Sequence, residues 1–224
     1  MIYLYCITGS AQLPLLPAES VFPVFPPYAI CAAGLAAIVS RVPYEEYDPE
    51  QTPSRIMDCL WVKQRSAAHQ TVVETVLVQT TVVPAAFCTV LESEDQVTAY
   101  LESYEDVLQA QLDTVRDRQE YWVDIIREGK RARLDGLQVL EARLCRFADG
   151  VMERRVAAWN PRFRAASWSF LVRRDQRARF LQEARTLAGE CREQKLLVDC
   201  SGPWAPSGFV IAPPVGPMLI ARSA

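Results

Sequence analysis

The sequence predicts an α+β protein of two domains, and three observations carry that reading. β-rich runs at residues 2–7, 28–33 and 35–42 come before any helical pattern. Two apolar stripes at heptad spacing then occupy the middle of the chain. One runs through Val97, Leu101, Tyr104, Leu108, Gln111 and Val115, the other through Leu137, Leu140, Leu144, Phe147 and Val151. In the C-terminal half strands and helices interleave, the order of an α+β sandwich of ferredoxin type. We place an N-terminal α+β domain at residues 1–115 and a C-terminal ferredoxin-like domain with additional long helices at 116–224.

A chain of 224 residues, 50% of them hydrophobic, is long enough to bury about 70% of its unfolded surface without a metal or a disulfide framework. Its net charge of −3 and pI near 5.4 argue against nucleic-acid binding driven by bulk charge. The seven cysteines are scattered with no CxxC spacing, and a single histidine leaves little for a zinc site. They read as small buried residues of a reducing compartment. The opening MIYLYCITGS has no basic region and no small-residue cleavage site, and no run approaches ~18 uninterrupted apolar residues. The expectation is a cytoplasmic protein with no membrane span.

Taken in order, residues 2–7 form the first strand. Residues 11–27 carry Pro14, Pro17, Pro23, Pro26 and Pro27 among Leu, Val and Phe, too dense in proline for a helix or a central strand. A loop so apolar is expected to pack on the body or on a partner. Gly34 separates two strands as a tight hairpin or bulge. Thr52-Pro53 looks like an N-cap followed by proline at the first helical position, opening a helix over 52–80 with a break at 64–66. Within it His69, Val72, Val73, Val76, Leu77 and Thr80 fall on one apolar stripe. Pro84 ends that helix just before itself, and residues 86–91 read as a short buried strand.

Ser93 and Gln96 have capping-box spacing and open the first heptad helix. The second runs from about Arg131, weakened by Gly136 and Gly150 at roughly 1 kcal/mol each relative to alanine. The two stripes could pair with each other. Between them EYWVDII, residues 120–126, is a strand; a strand at 168–172, a helix at 175–193 and a strand at 195–200 follow.

The chemistry on offer is thin. His69 could serve as a general base, but no nucleophile motif accompanies it, so a packed histidine is the better reading. Glu45, Glu46, Asp48 and Glu50 form an acidic surface loop that lacks the alternating spacing of a calcium site. Glu92, Glu94 and Asp95 sit at a helix start, where the dipole favours them. Arg127, Lys130, Arg131 and Arg133, like Arg173-Arg174, read as solvated faces. Cys191 and Cys200 have no activating neighbour. No Walker loop, GxGxxG or HExxH occurs. As a binder the chain offers more. Gly202-Pro203-Trp204-Ala205-Pro206 holds an indole between two prolines just after a strand, either as a core plug or as an anchor for a partner.

These stretches together resemble the gas vesicle protein F/L family over nearly the whole chain. The likeness lies in YLYCI, GLAAIVSRVPYEEYD, the His69 helix leading into VVPAAFCTVLESEDQV, and LLVDCSGPWAPSGFV. The chain departs from the family where Pro-x-Arg-Phe-Gly-Thr is replaced by Pro84-Ala85-Ala86-Phe87-Cys88-Thr89, and where Ser207 replaces the aromatic of GPWPPY. The resemblance implies a two-domain α+β protein whose C-terminal part is a modified ferredoxin-like fold. It implies a role in building gas vesicles, the hollow protein shells that give some microbes buoyancy.

On that footing the expected function is non-enzymatic, with no cofactor and no metal. The implied partner is the hydrophobic major shell protein, with other gas vesicle accessory proteins beside it, and the implied location is the cytoplasm and the gas-facing side of the shell. The residues expected to meet partners are Pro23, Phe25, Pro84, Phe87, Trp204 and Phe209. The alternative is a small ferredoxin-like enzyme or ligand-binding domain using His69.

Overall fold

The computed structural model describes residues 1–18, 20–48, 52–128, 136–154 and 164–215. They form two compact units. The first comprises residues up to Arg116 and the stretch from Val210; the second is Asp117–Phe209.

The first unit is built on β1, Ile2–Gly9, a run of aromatic and β-branched residues. β2 (Tyr28–Ala32) and β3 (Leu35–Arg41) make an antiparallel hairpin beside it, in the order β2-β3-β1. The hairpin turns on Ala33 and Gly34, both at positive φ (50° and 71°), as a primed two-residue turn requires. β1 and β3 pair out of register between Leu4 and Cys6, a bulge at Tyr5.

Two short helices follow, α1 (Tyr44–Tyr47) and α2 (Thr52–Arg55), then the long α3 (Cys59–Gln79). The helical stretch is broken before Cys59, and residues 64–66 lie inside α3. Asp58 decides the break by accepting hydrogen bonds from the Leu60 and Trp61 N–H groups as N-cap. Thr52 is not an N-cap; its hydroxyl donates to the Asp48 carbonyl at 2.8 Å. The expected stripe is buried at Val72, Val73, Val76 and Leu77.

The single strand expected at 86–91 is instead two short ones, β4 (Val83–Pro84) and β5 (Val90–Leu91), both antiparallel to β1. Cys88, at φ 65°, turns the chain between them. Ser93 caps α4 (Glu94–Ser103) through the Gln96 N–H, while the Gln96 side chain accepts from the Glu92 N–H. The expected continuous helix stops at Tyr104, whose non-helical ψ of 17° separates α4 from α5 (Glu105–Thr114).

In the second unit β6 (Arg118–Arg127), α6 (Leu137–Cys145), β7 (Gly150–Glu153), β8 (Arg164–Arg173), α7 (Arg177–Arg192) and β9 (Leu196–Trp204) follow one another. This is the β-α-β-β-α-β order, and the antiparallel sheet runs β7-β8-β6-β9, the ferredoxin-like arrangement. The second heptad stripe does not make one long helix. Gly136 is the N-cap of α6 in the left-handed region, and Val151 belongs to β7, paired with Phe170. The start expected at Arg131 lies outside the described residues. Tyr121, Val123, Phe170, Phe180, Leu187 and Val198 form the core with Leu144 of α6.

The segment from Val210, expected in the second domain, lies with the first unit. Val210 and Ala212 are buried, the Ala212 N–H donates to the Pro84 carbonyl at 3.0 Å, and Tyr100 donates to the Pro213 carbonyl at 2.7 Å.

Candidate functional site

Chemistry-bearing side chains gather in two places, one in each unit. In the first, α3 carries His69 to β1, where the imidazole ring meets Tyr3, Tyr5 and Phe87 at centroid distances of 5.7, 5.7 and 6.1 Å. The Tyr3 hydroxyl accepts the Cys88 N–H at 3.1 Å and lies 3.0 Å from His69 Nδ1. A buried phenol needs an acceptor for its own proton, so Tyr3 donates to Nδ1 and the neutral ring carries its proton on Nε2. Burial lowers the histidine to about 4 and raises Tyr3 well above its ordinary value. An imidazole held neutral down to that pH is a poor general base.

Around this cluster Tyr47, Trp61 and Phe87 continue the aromatic packing. Glu46 is engaged by Arg55, Arg65 and the Trp61 indole at 3.0, 3.5 and 3.2 Å. Burial would raise its carboxyl, yet those donors hold it below the usual value. The acidic loop thus ties α1 to α2 and α3. Among the described residues no three His, Cys, Asp or Glu side chains gather so as to hold a metal.

The proline-rich loop packs on the first unit through Val21, which is fully buried, with its N–H on the Tyr5 hydroxyl and its carbonyl on Arg65. Gln79 binds both backbone groups of Leu15. Pro23 is exposed and Phe25 half-buried, stacked on Phe22 at 5.8 Å. Pro84 is buried within the sheet, opposite Cys6, which removes it from any contact surface. Phe87 is partly buried among the aromatics just described.

In the second unit the sheet has one face on its helices and one open. Tyr121, Val123 and Ile125 point to the core, while Glu120, Trp122 and Asp124 alternate onto the other face. Trp122 stacks on Trp204 at 5.0 Å, and the Arg154 guanidinium lies 3.8 Å from the Trp122 ring centroid. Beneath them Glu120, 1% exposed, accepts from Trp122 Nε1 and Ser169 Oγ, both at 2.6 Å, and from the Gly208 N–H at 2.9 Å. Asp124 is flanked by Arg154 at 3.7 Å and Arg164 at 3.3 Å. A shallow pocket of about 260 Å³ opens over Glu120, Trp122, Met152, Arg154, Ser169 and Gly208. Met152 and Leu197 are 45% and 41% exposed on the same face.

Trp204 is therefore half-buried at the end of β9, not in a turn after a strand. Gly202 precedes it at φ 131°, and a side chain there would lie 2.9 Å from the Glu120 carbonyl oxygen. Phe209 packs on Gly150, where an added methyl would lie 3.0 Å from its ring. The sequence reading named Trp204 but missed Glu120, Trp122 and Arg154. The alternation of EYWVDII does separate the two faces. The pairing register brings Ser169, opposite Trp122, to Glu120, and the turn after β9 brings Gly208.

The description "Gas vesicle synthesis protein GvpL/GvpF" belongs to the family model that matches residues 1–134 and 127–211. The chain belongs to this family. Membership gives it a gas vesicle related role. No curated protein sequence matches it. Its structure is similar to that of the gas vesicle protein GvpF from Anabaena sp. PCC7120, with a TM-score of 0.68 and 16% identity over 93% of this chain and 94% of that one. It is also similar to GvpF from Microcystis aeruginosa, with a TM-score of 0.73 and 17% identity over 93% and 98% of the two chains. At such identities the likeness speaks for the α+β fold. No described helix is long and apolar enough to cross a membrane.

Proposed function

We propose that this GvpF/GvpL-family chain is a non-enzymatic assembly factor or minor structural component that binds the hydrophobic major shell protein of the gas vesicle. The observation that supports this most is the open sheet face of the second unit. There exposed Met152 and Leu197 lie on the same face as an indole pair fixed by Glu120 and Arg154. Side chains already held in place lose little freedom on binding, so such a face suits a partner whose apolar surface must be covered before assembly. Pro23 and Phe25 of the first unit, with exposed Val24 between them, are a second candidate contact.

Co-expression with the major shell protein and affinity capture tests the reading. Wild type should retain the shell protein, and Leu197→Glu with Trp204→Ala should lose it while keeping native circular dichroism. No capture by wild type would remove the proposal. Washed vesicles then separate two variants, because an adaptor on the gas-facing wall stays in them and a departing chaperone does not. The catalytic alternative would return only if a folded His69→Gln chain failed to support vesicle formation.

A further inference from the structure

The sheets of this protein end in edge strands, and natural sheets blunt such edges with proline, charge, bulges, brevity or a covering helix or loop. Three edges here follow that rule. β4 carries Pro84, whose carbonyl is already taken by Ala212. β7 has four residues and ends in exposed Glu153. β9 presents exposed Asp199, contains Pro203 and pairs irregularly with β6. β2 carries no proline, charge or bulge, and α4 packs against it. Its sequence Tyr-Ala-Ile-Cys-Ala is uncharged, its register with β3 is unbroken, and β3 is its only strand neighbour.

The hairpin fixes which backbone groups face outward. A two-residue turn makes Ala32 and Leu35 a hydrogen-bonded pair, and bonded pairs alternate along an antiparallel ladder. Ala32, Ile30 and Tyr28 therefore bond to β3, and the N–H and C=O groups of Ala29 and Cys31 point away from the sheet. No backbone bond to these groups from outside the sheet occurs among the described residues.

We propose that β2 is a self-association edge, pairing antiparallel with β2 of a second copy of this chain across a two-fold axis at Ile30. An edge of this kind is its own complement. Ala29 meets Cys31 of the second copy, so all the outward groups are satisfied in two bonded pairs, and Ile30 meets Ile30 as the close, non-bonded pair between them. No charge on β2 opposes its own image. The same register sets the second copy's Ala33–Gly34 tip beside Pro26 and Pro27. These two residues, with Phe25, Tyr28 and Arg41, line a groove of about 320 Å³. Pro26 is exposed there and Pro27 buried, so the tip meets Pro26 beyond the ladder.

Sedimentation equilibrium of the full chain alone tests this, independently of any shell protein. The mass should rise with concentration from 25.2 kDa toward about twice that value. Ala29→Pro removes an outward N–H without touching the β3 ladder, so it should stay monomeric and melt like wild type at concentrations where wild type is itself monomeric. In a chain whose exposed Cys31 and Cys59 are changed to serine, Ile30→Cys should give a covalent dimer on mild oxidation. Its two thiols would sit on Cα atoms about 4.5 Å apart. A wild type that is monomeric at every concentration overturns the proposal. So does an Ile30→Cys chain that dimerises without cross-linking. If Ala29→Pro fails to fold, the cross-link still decides.

Discussion

In β1 and β3 of the first unit every residue except the last is buried, whereas along β9 of the second unit Leu196 and Val198 are buried and Leu197 and Asp199 are exposed. Both sheets are antiparallel, so strand pairing does not explain the difference. The cover does. α3 brings His69 onto Tyr3 and Tyr5, and α4 and α5 also contact the first sheet. The core of the second unit draws on α6 and α7, which lie on one face. A sheet closed on both sides stores its polar side chains as internal fasteners, as with Tyr5 on Ser40 at 2.8 Å. A sheet closed on one side can offer them outward.

The largest test of this contrast is a pair of truncations. Ile7→Ala in the doubly covered strand should cost about 2–5 kcal/mol, and Leu197→Ala on the open face should stay within about 0.5 kcal/mol, both read from urea denaturation. Equal losses would mean that the open face is part of a core. Next comes Glu120→Ala, which strands the buried Ser169 hydroxyl and two half-buried donors and should cost roughly 3 kcal/mol while changing the Trp122 and Trp204 near-ultraviolet signal. Glu120→Gln keeps an acceptor and should lose about 1 kcal/mol.

Protonation sharpens the comparison on the other side. The folded pKa of His69 is about 4 against 6.5 for the free side chain, so the unfolded chain binds the extra proton first. This contribution is fully present above pH 6.5 and is lost as pH falls toward 4, with a ceiling of about 3 kcal/mol. The stability of His69→Gln should fall less steeply over that window; an identical slope would deny the histidine its packing against Tyr3 and Tyr5. A purely local loss is expected of Ser93→Ala, about 1 kcal/mol from the lost cap on the Gln96 N–H, measured by thermal melting.

Much of the fold could be read from the chain because local chemistry and long-range order agree there. The Ser93–Gln96 cap, the Val72–Leu77 stripe and the alternation in EYWVDII each state one local fact that survives into the structure. Misreadings arose where two patterns overlap. Heptad spacing hid β7, because Val151 fits a helical stripe and a strand equally well. Pro84 suggested a helix stop and a partner contact, yet it serves in an edge strand where no N–H is needed. The Glu120 cluster was the least legible feature. Its members, Ser169 and Gly208, are distant in sequence, and nothing local marks them as partners of a buried carboxylate.

The return of the chain at Val210 has a temporal consequence. The second unit is an insertion within the first, and the bond from Ala212 to Pro84 joins a stretch made after the second unit to one made before it. During synthesis Asp117–Phe209 can finish as a separate body while its host still lacks a closing seam. The unit begun first is thus completed only after the second has been made.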